Sequence, residues 1–178
     1  MKDTFKFAVV LGLICIVSSA LLAVVNGFTQ PQIELQKEKE EDAALKAVFP
    51  QAAAFKAHTS AGKFDYYLVY DSSSRLQGFA IKATGKGYSS DIETLVGLDL
   101  KLNISAIKVL SLNETPGLGS RVAEQPFTGQ FQGKNLDSMD SVQAITGATI
   151  SSRAVINSIK DKISELTPQL DKEIQDAR

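Results

Sequence analysis

Thr146 to Ser152 read TGATISS and run directly into RAVINSIKDKISEL, Arg153 to Leu166. In the second stretch Val155, Ile156, Ile159, Ile163 and Leu166 recur at the three- and four-residue spacing of a helix with one apolar face, which Pro168 is expected to end. The first stretch therefore stands where a helix begins. A helix start carries unpaired N–H groups and the positive end of the dipole, so it attracts an anion such as phosphate. Gly147 and Ala148 let a ligand approach the backbone closely, and Thr146, Thr149, Ser151 and Ser152 can donate hydrogen bonds. Plain capping competes with this reading, because Ser and Thr are favoured N-caps. One cap needs one hydroxyl, however, and four are present.

Upstream of this helix the apolar period changes from that of a helix to that of strands. Phe64, Tyr66, Leu68 and Tyr70 fall on one face of a strand over 64–71, and the polar SSSR turns it into a second strand over 76–83. Leu98, Leu100 and Leu102 alternate with Asp99 and Lys101, and ISAIKVLSL after Asn103 suggests another antiparallel pair. Strands followed by a helix predict an α+β domain with a mostly antiparallel sheet and flanking helices.

The first residues are a different material. Phe7 to Val25, FAVVLGLICIVSSALLAVV, carries no charge, and at about 1.5 Å of rise per residue a helix of this length spans the hydrocarbon core. It reads as a transmembrane anchor over 1–25. A cleaved signal peptide is the alternative, with Lys2 and Lys6 as its basic region and Ser18-Ser19-Ala20 as its cleavage site, but the apolar run continues past that site through LLAVV. Lys2 and Lys6 precede the span and no Lys or Arg follows it until Lys37, so the N-terminus is expected in the cytoplasm and the rest of the chain outside. The expectation is a single-pass protein of the cell inner (cytoplasmic) membrane, in contact with the lipid bilayer. Residues 26–50 read as a juxtamembrane helix, charged after Pro31, with Leu45, Val48 and Phe49 turned to the domain and Pro50 as its stop. Residues 51–178 form the folded domain.

Composition excludes several functions. Lys+Arg 19 against Asp+Glu 20 gives no cationic field for nucleic acid. The single cysteine, Cys15, excludes an internal disulfide framework, a CxxC redox pair and a cysteine-ligated iron–sulfur cluster, and the single histidine, His58, excludes a histidine-rich metal site. Nor does the span contain an acidic or basic residue that would carry an ion.

Two further loops stand out. ETPGLGS, Glu114 to Ser120, follows a strand, and TGKGYSS, Thr84 to Ser90, is the other. Gly85 and Gly87 form GxG without the third glycine of a dinucleotide fingerprint, and there is no phosphate-binding P-loop. GKGY, then ETPGLG, then TGATISS, in that order behind one N-terminal span, resembles the RnfG family, the FMN-binding component of the Rnf electron-transport complex. That family is related to NqrC, a component of the sodium-pumping NADH:quinone reductase.

The resemblance implies FMN as cofactor, joined to Thr149 through a phosphoester made by a flavin transferase that consumes FAD. Thr146, Gly147 and Ala148 fall on the rest of the [ST]GAT motif, with Ile150 and Ser151 just beyond it. Glu114, Thr115, Pro116, Gly117, Leu118 and Gly119 fall on the loop expected near the isoalloxazine ring, with Gly87 and Tyr88 of GKGY beside it. One departure is Gln143, six residues before Thr149, where the transferase pattern has Asp. A free threonine hydroxyl is a poor nucleophile, so the chain is expected to be the substrate of a separate enzyme. The implied function is an electron relay in a ferredoxin:NAD oxidoreductase that couples electron transfer to sodium or proton translocation. Its partners are the other membrane and peripheral subunits of the complex. Two alternatives are an anchored module that binds a phosphate-bearing ligand without a redox role, and an FMN subunit of the related quinone reductase.

Overall fold

A computed structural model describes residues 2–60 and 63–176 of the chain. The side chains of Lys2 and Phe64, used above for orientation and strand pattern, lie outside the described residues. The chain divides into two compact units, Met1–Glu40 and Glu41–Arg178. The first consists of helix, part of α1, Lys2–Val48. Its apolar side chains, from Phe7 through Val25, face outward without protein neighbours, and the helix is long and apolar enough to cross a membrane.

The second unit is an α+β domain built on a five-stranded antiparallel sheet in the order β1-β2-β3-β4-β5. The strands are β1, Ala54–Ser60; β2, Lys63–Tyr70; β3, Leu76–Lys86; β4, Asp91–Asp99; and β5, Ile104–Ser111. Each pairs with its sequence neighbour, for example Tyr66 with Ile81 and Ala80 with Gly97. After β5 come a 3-10 turn, Gly119–Ala123, the short helix α2, Gln125–Thr128, two further 3-10 turns, and α3, Thr149–Asp176.

The sheet is buried on both faces, by different partners. Tyr66, Leu68, Phe79, Ile81, Ile92, Val96 and Leu98 on one face pack with the α3 stripe Val155, Ile159, Ile163 and Leu166 and with Phe127 and Phe131. On the other face Val69, Ala80 and Leu95 meet Ala44, Leu45, Val48 and Phe49, the end of α1. Gly97 and Gly78 permit this second contact: a Cβ on Gly97 would stand 2.2 Å from Val48 Cγ1, and one on Gly78 would stand 3.2 Å from Phe49 Cζ. The Tyr67 hydroxyl donates to Glu41, whose Oε1 also lies 2.6 Å from Lys82 Nζ.

Three expectations need correction. TGKGYSS is a loop only from Gly87, because Thr84, Gly85 and Lys86 pair with Glu93, Ile92 and Asp91 at the end of β3. β4 ends at Asp99, not at Leu102: the Asp99 carboxylate accepts the Lys101 and Asn103 N–H groups at 2.8 and 2.9 Å, an Asx turn that reverses the chain. Leu100 is consequently 41% exposed and Leu102 takes φ +60°. The helix α3 does not stop near Pro168 but contains it and continues to Asp176. Leu170 beyond the proline is fully buried, and packing of this kind offsets the hydrogen bond a proline removes.

Candidate flavin site

The site stands at the end of the sheet where β3 turns into β4, where β5 ends and where α3 starts. Gly85 decides the approach: a Cβ there would lie 2.3 Å from the Ala154 carbonyl oxygen, so only a bare backbone lets α3 cross β3 this closely. That crossing brings the helix start beside the Gly87–Ser90 turn. Gly147, at φ +83°, supplies the left-handed step that delivers Ala148 and Thr149 to the helix.

The four hydroxyls of TGATISS separate into two pairs. Ser152 is buried, donates to the Ala148 carbonyl at 2.9 Å and accepts the Ile145 N–H at 3.0 Å, which locks the segment before the helix. Ser151 is also buried and donates to Glu114 Oε2 at 2.5 Å. Thr146 and Thr149 are exposed, and their hydroxyls make no hydrogen bond among the described residues. The N–H groups of Thr149, Ile150 and Ser151 likewise find no acceptor among the described residues. An outward hydroxyl and a set of free N–H groups thus share the positive end of a long helix.

Beside them lies a cleft of about 490 Å³. The TGATISS stretch contributes Gly147, Ala148, Thr149, Ile150 and Ser151; the ETPGLG loop contributes Glu114, Thr115, Leu118 and Gly119; and Tyr88 closes it from the β3–β4 turn. Four other residues singled out in the sequence do not line it. Thr146 sits exposed just before, Pro116 and Gly117 form the outer turn of the ETPGLG loop, and Gly87 lies buried behind Glu114. The rim is apolar and open, with Tyr88 72%, Leu118 48% and Ile150 56% exposed. An apolar rim beside a helix start suits a ligand with a flat apolar ring at one end and a phosphate at the other, and the volume falls in the range of cofactor clefts.

Glu114 is the one acidic group in the wall. Burial alone pushes its carboxyl up, but hydrogen bonds from Ser151 and then from the Ser89, Ser90 and Tyr88 N–H groups outweigh that and hold it below the ordinary glutamate value. Arg153 is a residue the motifs do not point to. It is exposed one helical turn beyond Thr149 on the same face and makes no ion pair among the described residues. The i,i+4 spacing from Thr149 is its only signal in the sequence.

Comparison with known proteins gives the family. Residues 87–164 match the family model described as FMN-binding domain, and residues 1–48 match that described as RnfG N-terminal region. The G subunit of the ion-translocating oxidoreductase complex of Methanosarcina acetivorans is 32% identical, over 94% of this chain and 97% of that relative. This chain belongs to the RnfG family. The G subunit of the Na(+)-translocating ferredoxin:NAD(+) oxidoreductase complex of Acetobacterium woodii is 30% identical over 91% of each chain. Among solved structures, NqrC of Shewanella oneidensis superposes with a TM-score of 0.53 over 70% of this chain and 74% of its own, at 21% identity, which is a likeness of fold.

FMN is therefore the cofactor of this RnfG chain, whose relatives are G subunits of ion-translocating oxidoreductase complexes. The matched N-terminal region contains the apolar helix, in keeping with single-pass anchoring.

Proposed function

We propose that this RnfG chain is a tethered electron relay whose FMN is bonded through its phosphate to Thr149. The observation that carries the reading is the division of labour at the start of α3: Ser151 and Ser152 are engaged inward, whereas the Thr149 hydroxyl stands exposed on the cleft wall beside free N–H groups. In the bond-forming step Thr149 Oγ1 joins the phosphorus on the riboflavin side of FAD, the pyrophosphate P–O bond breaks, AMP leaves and the hydroxyl proton is lost. A separate flavin transferase supplies the base and the metal chemistry that an unassisted threonine lacks. The product phosphodiester carries one negative charge, for which the helix N–H groups and Arg153 provide the complement.

When bound, FMN supplies the capacity to take and pass electrons singly or in pairs. The chain's own residues hold it: Tyr88, Leu118 and Ile150 offer the apolar surface for the ring, and the α3 start holds the phosphate end. The helix from Phe7 to Val25 retains the chain in the cytoplasmic membrane with its N-terminus inside, so the flavin domain lies on the outer side. Ferredoxin and NAD chemistry belong to neighbouring subunits, as the family resemblance implies, and so does the path of the sodium ion or proton, because the span has no Asp, Glu, Lys, Arg or His.

The test is co-expression with a flavin transferase followed by flavin fluorescence in a denaturing gel. Wild-type protein should fluoresce, Thr149→Ala should not, and Thr149→Ser should retain partial label. Fluorescence that persists in Thr149→Ala moves the attachment elsewhere. Flavin that leaves the wild-type protein on denaturation supports a non-covalent phosphate-ligand module instead.

A further inference from the structure

The three motifs around the cleft meet at one chemical group, the Glu114 carboxylate. Glu114 is only 6% exposed, although it is charged. Its Oε1 accepts the Ser89 and Ser90 N–H groups at 2.9 and 3.1 Å. Its Oε2 accepts the Tyr88 N–H at 3.2 Å and the Ser151 hydroxyl at 2.5 Å. A carboxylate has about four lone-pair sites, so the protein fills them and leaves none for a ligand. Three consecutive backbone N–H groups converging on one anion form a nest, a preferred way to hold buried negative charge.

The glycines of two motifs answer to the same group. A Cβ on Gly87 would stand 2.6 Å from Glu114 Oε1, and one on Gly119 would stand 2.7 Å from Oε2 and 2.9 Å from Ser151 Oγ. GKGY and ETPGLG thus carry glycine where the carboxylate passes. TGATISS reaches it through Ser151.

We propose that Glu114 is the positioning residue of the flavin site, a buried anion that assembles the Tyr88–Ser90 turn, the ETPGLG loop and the first turn of α3 into a cleft before flavin is attached. The consequence for attachment rests on the reading of Thr149 above; the assembly itself holds for the chain without cofactor. Once flavin is in place, the same fixed negative charge opposes its reduction.

Full-length chain in detergent, purified without flavin, is examined by amide hydrogen exchange as wild type, Glu114→Gln, Ser151→Ala and Thr149→Ala. Glutamine keeps the volume but offers one acceptor oxygen and no charge. Exchange at Tyr88, Ser89 and Ser90 should accelerate about tenfold or more in Glu114→Gln, as loss of charge-assisted hydrogen bonds implies. It should remain as in wild type in Thr149→Ala. With transferase and FAD added, the initial rate of labelling should fall about tenfold in Glu114→Gln and less in Ser151→Ala, by the same reasoning. The labelled Glu114→Gln protein should have a flavin potential above that of wild type. Ser151→Ala keeps the charge and should leave the potential near wild type.

Wild-type exchange and labelling rates in Glu114→Gln would overturn the proposal. Where Glu114→Gln does not accumulate, Ser151→Ala decides: slowed labelling supports the proposal and a wild-type rate overturns it. Failure of wild-type protein to label at Thr149 would strike the attachment reading alone, since exchange in the flavin-free chain still reports on Glu114.

Discussion

Ser152 and Thr149 stand three residues apart and carry opposite expectations. Ser152→Ala removes a fully buried hydroxyl and leaves the Ile145 N–H without its acceptor, so chemical unfolding of the flavin-free chain should show a loss of about 1–2 kcal/mol. Thr149→Ala touches an exposed side chain with no hydrogen bond and should stay within about 0.5 kcal/mol of wild type. Glu114 adds a pH dependence. Its folded value is depressed, so its contribution is fully present above the ordinary glutamate range and is lost as pH falls through the depressed folded value. Acid unfolding curves should therefore show a weaker pH dependence in Glu114→Gln than in wild type at the acid end; curves that superpose would contradict this assignment. At this scale the sequence was a good guide to which residues gather and a poor guide to why. Parts of TGATISS and ETPGLG line one cleft with Tyr88, the stretches on which the family resemblance rests, yet Gly87 and Gly119 clear a path for Glu114 and Gly85 clears one for α3. A glycine that admits a ligand and one that admits a side chain look alike in a string of letters.

The helix α3 owes its last turns to packing that its local sequence argues against. Pro168 should end it by the rule that proline lacks an N–H and clashes with the preceding turn, and yet Leu166 and Leu170 on either side are both buried. Leu170→Ala should therefore cost about 2–5 kcal/mol in chemical unfolding, the range for truncating a buried leucine. A cost near zero would mean that the helix ends at the proline. Strand alternation misled in a similar way at Leu98, Leu100 and Leu102, where the period of two continues but the Asp99 side chain turns the backbone first. β1 was not legible at all. It is an edge strand in which only Phe55 and His58 among its described side chains are half-buried, three residues apart and so on opposite faces, and no alternation marks it. By contrast α3's apolar stripe was plain, because one face of it packs against the sheet, and the β2–β3 hairpin was plain because the polar SSSR separates two apolar runs.

At the scale of the whole molecule, an apolar helix and a flavin domain make a tethered carrier. If the N-terminus lies inside, protease added to intact cells stripped of any outer membrane should digest the domain that follows Val25, whereas protection until lysis would reverse the orientation. The span's lack of Asp, Glu, Lys, Arg and His implies that replacing its apolar side chains by other apolar ones leaves ion translocation by the assembled complex unchanged. The family, the fold and FMN are shown by comparison; the claim that goes beyond them is that one exposed hydroxyl at the head of α3 carries the cofactor. Intact-mass spectrometry of the full-length chain co-expressed with a flavin transferase, followed by peptide mapping, tests it most directly. The expected result is the mass of one FMN bonded with loss of water, located on the peptide containing Thr149 and absent from Thr149→Ala. An unmodified mass, or the same addition retained in Thr149→Ala, would contradict it.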